Sequence, residues 1–482
     1  MLFNSVEFAV FLIIVFLLYW FVFNRRERVR NLFVIAASYL FYGWWDWRFL
    51  LLIAFTSLCS FLSGIAIGRF HTKGSRAGAR WACGLNIAVN LAILCLFKYY
   101  NFFMTEFAAR FLDGDTSGML VKLILPVGIS FYTFQALSYS IDVYRRKLEP
   151  TRDATAFFAY IAFFPQLVAG PIERATNLLP QFYSLRRFDY AGAVDGMRRI
   201  LWGLFKKVVV ADSCAGMVNT IFADYGELPG STLAIGAVLF AFQIYGDFSG
   251  YSDIAIGTAR LFGFSLMQNF RMPYFSRDIG EFWRRWHISL NTWFRDYVYI
   301  PLGGSRVGKH KVVRNTFVIF LLSGLWHGAN WTFIAWGGYH ALLFVPLIAT
   351  GRNRRHTDNV AQGRRFPTFA EMRGMAVTFC LVVVGWIFFR AETIADAWHY
   401  LARIFSGSFF SKPVGYGREH DLWVTLAWVV IMLAVEWVQR AREHGLAIGG
   451  VRPVWLRWVI YYAIIVSLFF GKGVETFIYF QF

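Results

Sequence analysis

Two histidines, His327 and His287, are the side chains of this chain best suited to chemistry. His327 lies in the stretch SGLWHGANW, between Gly324 and Gly328, with apolar runs on both sides. A polar group at membrane depth is costly unless it lines a cavity or has a partner, so such a group is a functional candidate. Imidazole accepts protons near neutral pH, and we predict that His327 takes the proton of a hydroxyl that attacks an acyl carbonyl. A histidine that only packs in a core is the alternative.

His287 belongs to the segment 276–300, SRDIGEFWRRWHISLNTWFRDYVYI, which is too charged to cross a membrane. Asp278, with Glu281 three residues later, resembles a capping box. Large apolar residues then recur at helical spacing and share one face. They are Phe282, Trp283, Trp286, Leu290, Trp293, Phe294 and Tyr297. The pattern predicts an interfacial amphipathic helix, in which His287 faces the protein or the membrane. A packing role beneath a tryptophan is equally open.

Five further residues are candidates for lining a substrate path. They are Trp326, Asn330, Asp247, Ser249 and Tyr251. The last three belong to QIYGDFSGYSD (243–253), which inserts polar groups among apolar neighbours. Contact with a substrate and hydrogen bonding between helices are both open interpretations of this stretch. A third buried histidine, His340, follows two glycines, and a packing or hydrogen-bonding role is favoured for it.

Several common catalytic patterns are missing from the sequence. It has no GxSxG nucleophile elbow, no HExxH motif and no P-loop. Its five cysteines form no CxxC pair and lie in apolar surroundings, which is typical of buried thiols. The sequence therefore offers buried imidazoles and no recognisable nucleophile, and we expect no bound metal or cofactor.

The elements that position these residues are predicted to be membrane helices. The chain of 482 residues is 57% hydrophobic and only 16% charged, well below the ~25% charge of a soluble domain. Apolar stretches near the ~20 residues needed to cross a bilayer recur along its length. No long polar segment interrupts them, so residues 1–482 are interpreted as a single membrane domain. The net charge of +19 is spread over short loops, as the positive-inside rule requires, which argues against nucleic acid as a partner.

The clearest predicted spans are 6–23, 31–45, 49–68, 81–97, 125–143, 201–222, 231–263, 374–389, 422–438 and 458–470. Two more apolar stretches are interrupted. Pro165 and Gly170 break the stretch 155–172, and the stretch 315–349 is broken around His327. Such breaks are tolerated only where protein or a water-filled cavity covers the freed backbone, so re-entrant or broken helices are predicted. The alternation of basic loops places both termini outside the cytoplasm.

Long blocks of the sequence resemble one family. FWRRWHISLNTWFRDYVYIPLGGSR (282–306) and LLSGLWHGANWTFIAWGGYH (321–340) are similar to membrane-bound O-acyltransferases of the bacterial alginate O-acetyltransferase branch. Shorter matches are ASYLFYGWW (37–45), FFPQLVAGPIERA (163–175), QIYGDFSGYSDIAIG (243–257) and FIYFQF (477–482). The resemblance runs essentially from end to end, and the two long blocks make it specific.

The resemblance implies an all-α polytopic fold, a ring of tilted transmembrane helices around a thinned centre with a tunnel. His327 matches the family's active-site histidine and His287 its second position. A cytoplasmic donor, acetyl-CoA, would supply acetyl groups for an exported polysaccharide such as alginate, directly or through periplasmic acetyltransferase or polysaccharide-modifying partners. The protein would then lie in the bacterial inner membrane, in contact with lipid. Arg284, Arg285, Arg306 and Lys309 are candidates for binding coenzyme A phosphates, although positive-inside charges facing anionic lipid are an equal alternative.

Other functions stay open at this point. Within the same class, peptidoglycan O-acetylation and D-alanyl transfer to teichoic acid share the same sequence blocks, and D-alanyl transfer uses a carrier protein as donor. A transporter or flippase would also show broken helices and buried polar groups at the membrane midplane, but the sequence shows no corresponding broken segments in two related halves. A structural scaffold for an export complex would predict that histidine substitutions are silent.

Overall fold

The computed structural model describes residues 1–108, 120–121, 124–471 and 477–478 of the chain. Within these ranges every regular element is helical, and seven helices are long and apolar enough to cross a membrane. The all-α polytopic prediction is therefore confirmed. The last four residues of the FIYFQF motif lie outside the described residues.

The chain divides into two compact units. The first comprises Met1–Met197 and Ala255–Met267, and the second comprises Arg198–Ile254 and Gln268–Phe482. The interpretation of the whole chain as one membrane domain stays a prediction.

The first unit contains helices whose bounds follow the predicted apolar stretches. They are α1 (Val6–Leu17), α2 (Glu27–Gly43), α3 (Arg48–Thr72), α4 (Arg76–Lys98), α5 (Tyr100–Phe103), α6 (Ile129–Tyr144), α7 (Ala154–Ala162), α8 (Phe164–Leu167), α9 (Ala175–Leu178) and the start of α10 (Tyr190–Leu204). A π-helical segment, Leu18–Phe23, extends α1. Helix starts are capped where the sequence supplies a short polar residue; Ser5, Ser75 and Asp153 each accept a backbone N–H at the start of a helix.

Amide and hydroxyl side chains join helices inside the first unit. Asn86 of α4 donates to the Ser140 hydroxyl of α6 at 2.8 Å and accepts from Ser60 of α3 at 3.2 Å. All three side chains are buried. Such hydrogen bonds fix the packing of membrane helices, for which lipid gives no hydrophobic incentive.

The second unit holds both candidate histidines. Its helices are α11 (Asp212–Ala223), α12 (Gly230–Leu261, to Ile254), α13 (Ile279–Arg285), α14 (Ile288–Phe294), α15 (Lys309–His327), α16 (Trp331–Ala349), α17 (Phe369–Arg390), α18 (Ile394–Ile404), α19 (Glu419–Val438) and α20 (Val454–Leu468). A π-helical segment, Phe205–Ala211, joins α10 to α11. The start of α17 carries a complete capping box, in which Thr368 and Glu371 satisfy each other's backbone N–H groups.

The interrupted stretches are broken as predicted, with different details. In 155–172 the helix ends at Ala162 and a short turn of helix follows from Phe164. In 315–349 the break is confined to residues 328–330, and the helices on either side have 19 residues each. Nineteen residues extend about 28 Å, so α15 and α16 are longer than the two short helices that the sequence suggested.

The helices α15 and α16 pack against each other as a hairpin with very close backbones. A Cβ atom on Gly324 would lie 2.2 Å from the Phe333 carbonyl oxygen, and one on Gly337 would lie 2.3 Å from that of Phe320. Only glycine permits this approach. Gly324 and Gly337 therefore allow the two helices to come together.

The segment 276–300, expected to form one amphipathic helix, folds as two short helices. The helix α13 ends at Arg285, and α14 begins at Ile288 after a left-handed residue, His287. The apolar residues of the predicted face are all buried, but so are the charged residues Glu281 and Arg285. Continuous helical spacing is lost because contacts distant in sequence hold the backbone at His287, as described below.

Candidate active site

The two predicted histidines lie side by side inside the second unit. His327 is the last residue of α15 and His287 directly precedes α14. Their ring centroids are 6.4 Å apart, and their exposed fractions are 4% and 1%. The structure therefore brings together two residues that are 40 positions apart in the sequence, in a place sheltered from solvent.

The backbone of His287 lies in the left-handed region, and its imidazole lies next to that of His327. Its φ and ψ are 44° and 53°, a conformation that is uncommon for residues other than glycine. The amide N–H of Ile288 donates to the carbonyl of Asn269 at 2.8 Å, which holds the chain in this turn. Strained conformations of this kind are typical of functional sites.

The side chain of Asn269 determines which nitrogen of His287 carries the proton. His287 Nδ1 lies 3.1 Å from Asn269 Oδ1, which also accepts the Ser289 hydroxyl at 2.8 Å. The backbone N–H of Ser289, which can only donate, also points to this atom at 3.3 Å, so it is the oxygen that faces the imidazole as an acceptor, while the amide nitrogen donates to Ser252 at 3.1 Å. Nδ1 must then be the donor, which makes Nε2 the basic nitrogen. Burial lowers the pKa of His287 to about 3, so the ring is neutral at physiological pH.

Asn269 is a residue that sequence reasoning missed. It lies 18 positions before His287, in a stretch without regular helix, and no motif singled it out. Its burial is complete. The contact with His287 depends on the fold alone, so the sequence carried no local signal for it.

Aromatic rings surround His327. The rings of Trp326 and Trp336 each lie 5.0 Å from the imidazole, and that of Phe389 lies 5.4 Å away. Trp326 also lies 5.8 Å from His287, so it contacts both imidazoles. This environment is apolar and keeps bulk water away from the histidine pair, which strengthens every polar interaction made inside it.

The third histidine, His340, also packs against Trp336. Its ring is 5.2 Å from Trp336 and 4.9 Å from Trp283, and it is fully buried. Among the described residues neither ring nitrogen has a hydrogen-bond partner. Gly385 provides the space for this ring, because a Cβ there would lie 2.7 Å from Nε2. These contacts are those of a packed side chain.

The polar stretch 243–253 contacts basic residues of the neighbouring π-helical segment. Asp247 forms an ion pair with Lys207 at 2.8 Å, and Ser249 accepts from Lys206 at 2.9 Å. The ring of Tyr251 packs 4.7 Å from Phe477. All of these groups are buried, and their contacts match the interpretation that the stretch holds helices together. Their contact with a substrate stays a prediction.

Asn330 has a local structural role. Its side-chain oxygen caps α16 by accepting from Thr332 N at 3.0 Å, and its amide donates to the Glu392 carbonyl at 2.9 Å. The residue thus fixes the turn after His327. Its position at the helix start makes it a support for the site, and the predicted role in lining a substrate path is untested.

The four candidate phosphate-binding residues differ in their contacts with the protein. Arg284 donates to the carbonyls of Asn353 and His356, each at 2.7 Å, and Arg285 pairs with Glu281 at 2.9 Å. The guanidinium groups of both residues are therefore bonded to acceptors of the protein itself. Arg306 and Lys309 are exposed, as Arg284 also is, and Lys309 donates to the Ala349 carbonyl at 3.5 Å. The described residues contain no group of three or more histidine, cysteine or acidic side chains that could hold a metal ion.

Comparison with known proteins assigns the chain to a family. The model of MBOAT, the membrane-bound O-acyltransferase family, matches residues 32–369, more than half of the chain and both histidines. The probable alginate O-acetylase AlgI of Pseudomonas aeruginosa is 42% identical over 79% of this chain and 70% of its own length. The peptidoglycan O-acetyltransferase of Helicobacter pylori is 34% identical over 76% and 72%. The teichoic acid D-alanyltransferase of Bacillus subtilis is 30% identical over 46% and 59%.

These matches agree with the geometry of a buried histidine pair on a set of membrane helices. Transfer to a hydroxyl group needs a base in a sheltered site, and the pair of His287 and His327 is the candidate for that base. The chain belongs to the membrane-bound O-acyltransferase family and is a multi-pass membrane O-acyltransferase.

Proposed function

We propose that this protein transfers acetyl groups from cytoplasmic acetyl-CoA to an exported polysaccharide such as alginate, directly or through a periplasmic partner. The observation that supports it is the buried pair of His287 and His327, found in a chain 42% identical to a probable alginate O-acetylase. On this proposal the protein lies in the bacterial inner membrane with both termini on the periplasmic side.

His327 acts as the general base in the proposed reaction. It takes the proton of the acceptor hydroxyl while the hydroxyl oxygen attacks the thioester carbonyl. A new C–O bond forms, the C–S bond breaks, and the leaving thiolate receives the proton from the imidazolium. His287, neutral and with Nε2 as its basic nitrogen, assists by accepting a hydrogen bond near the thioester end.

The aromatic enclosure accounts for transfer in preference to hydrolysis. Trp326, Trp336 and Phe389 surround the imidazole within 5.4 Å. Water that reached an activated thioester would hydrolyse it, so a site of this kind must admit the acceptor and exclude bulk solvent.

The test uses purified full-length protein in nanodiscs with radiolabelled acetyl-CoA. We would compare wild type with His327→Ala and with His420→Ala, which removes an exposed histidine and serves as the matched control. Loss of thioester cleavage by at least about 100-fold in His327→Ala alone is expected from removal of a general base. Equal turnover in all three proteins would refute the role of His327.

The acceptor and donor are tested separately. Transfer of label to alginate, or to a periplasmic partner that then acetylates it, is the expected result. Transfer to peptidoglycan instead, as the name of the Helicobacter pylori relative suggests, would replace the polysaccharide in the proposal. Activity only with an acyl carrier protein would favour D-alanyl transfer. The transporter alternative has no support, because the chain belongs to an acyltransferase family.

A further inference from the structure

A cavity of about 780 Å³ opens in the first unit, at the ends of α3 and α6. Its lining includes Arg69 in the last turn of α3, and Arg146 and Arg152 in the loop that follows α6. The volume lies within the range of about 300–1,000 Å³ that small-molecule sites occupy. It is part of the first unit alone, and the histidine pair belongs to the second.

The three arginines of this cavity have no hydrogen-bond or ion-pair partner in the part of the chain that the structure describes. All three are exposed, and among the described residues none of their guanidinium groups forms an ion pair or a hydrogen bond. One carboxylate, that of Glu149, also lines the cavity, and His71 is held by the Tyr144 carbonyl at 3.2 Å. The cavity therefore carries an excess of positive charge that the described protein groups do not neutralise.

Arg146 occupies a position where glycine is the usual residue. The amide of Arg146 donates to the Val143 carbonyl at 3.0 Å, and that of Lys147 donates to the Asp142 carbonyl at 2.9 Å. These two bonds define a Schellman motif at the end of α6. Its left-handed residue, with φ of +58°, is Arg146. An arginine here strains the backbone, and among the described residues its guanidinium group gains no ion pair or hydrogen bond that would offset the strain.

The favourable interaction of a cation with the end of a helix dipole explains only part of this group of arginines. A cation in the last turn of a helix is favourable, which suits Arg69. Arg152, in contrast, directly precedes Asp153, the N-cap of α7, and a cation near a helix start is unfavourable. Two of the three arginines thus stand where local structure disfavours them, and both line the same cavity.

We propose that this cavity binds a phosphate-bearing anion through Arg69, Arg146 and Arg152. A guanidinium group can donate two parallel hydrogen bonds to two oxygens of one phosphate. The phosphate has two possible sources, the headgroup of an anionic lipid or a soluble nucleotide such as that of coenzyme A. Phosphate binding in this cavity is independent of the proposed acetyl transfer. A lipid phosphate could bind to the arginines whatever reaction the protein catalyses.

The experiment measures phosphate binding with two probes on full-length protein. In one arm, adenosine 3′,5′-bisphosphate is titrated into protein held in phosphatidylcholine nanodiscs. In the other, protein is placed in equal mixtures of phosphatidylcholine and phosphatidylglycerol, and the phosphatidylglycerol that it retains is counted by native mass spectrometry. The variants are Arg146→Gly, the double variant Arg69→Gln with Arg152→Gln, and Arg76→Gln, an exposed arginine outside the cavity lining, as control.

Arg146→Gly separates binding from folding, because glycine relieves the backbone strain while removing the charge. The expected result is a loss of at least about tenfold in affinity for one probe, in both Arg146→Gly and the double variant, with thermal stability of Arg146→Gly unchanged or raised. Loss in the lipid arm identifies a headgroup, and loss in the nucleotide arm identifies a soluble phosphate. Retention of binding within twofold of wild type by either variant, for every probe that wild type binds, would overturn the proposal, and so would no binding of either probe by wild type.

Discussion

Replacing Asn269 with leucine is expected to disable the site without touching either histidine. The side chain of Asn269 makes four hydrogen bonds, one to Ser252, two to Ser289 and one to His287 Nδ1. At about 0.5–1.5 kcal/mol each, their loss costs about 2–6 kcal/mol of stability. Without this acceptor the His287 ring is free to carry its proton on Nε2, so the nitrogen needed as acceptor is lost. We expect kcat to fall by about 100-fold or more, with KM changed by less than about threefold.

The assay is thioester cleavage by protein in nanodiscs, with thermal unfolding measured in parallel. Asn269→Asp keeps an acceptor toward His287 and should recover most of the activity. Asn315→Leu is the matched control, since Asn315 is also fully buried and hydrogen-bonded, at 3.1 Å to the Leu302 carbonyl. It should lose stability without the specific fall in kcat. A folded Asn269→Leu protein with kcat within threefold of wild type would refute the positioning role. If His287→Ala were also silent, the proposed role of His287 would fail with it.

Three further predictions concern stability, measured by thermal unfolding in detergent. Gly324→Ala places a methyl group 2.2 Å from the Phe333 carbonyl oxygen and should cost about 1–3 kcal/mol, whereas Gly216→Ala, with open space at its Cβ, should not destabilise; equal effects would contradict the hairpin packing. Burial raises the pKa of Glu173 to about 7, so the folded state holds this proton more tightly than the unfolded state. Stability should therefore be full below pH 4.5 and fall by about 3 kcal/mol as pH rises through 7, and Glu173→Gln should remove this part of the pH dependence; an unchanged profile would be contrary evidence. His340→Leu removes ring nitrogens without a hydrogen-bond partner among the described residues and should leave stability unchanged or raise it, so a large loss would mean that His340 has a bound partner.

The sequence predicted the elements of the site better than their junctions. Apolar length located the membrane helices because burial of about 20 residues in lipid leaves a strong signal. Glycine and proline located the breaks near His327 and Pro165, since both residues interrupt helices. The site was predicted to contain His287 and His327, and the structure places them together.

The details at the junctions depend on contacts that no local pattern records. The regular spacing of apolar residues in 276–300 favoured one helix. The carbonyl of Asn269 instead holds the chain in a left-handed turn at His287, and this turn divides the segment into two helices. The resemblance of Asp278 and Glu281 to a capping box predicted the start of a helix, but not that Glu281 is 1% exposed and pairs with Arg285. In both cases a partner distant in sequence, or a buried ion pair, decides the structure.

The break at each histidine is what allows the pair to form. In a continuous helix the side chains point outward along its length, and their direction is fixed by the turns before and after. His327 ends its helix and is followed by extended backbone at Gly328, with φ of −166°, while His287 precedes its helix in a left-handed turn. Each ring is thus held at a helix end, where backbone direction can change, and the two converge to 6.4 Å. A membrane enzyme that must bring a donor and an acceptor to one dry point needs such convergence, and in this protein the ends of two helices supply it.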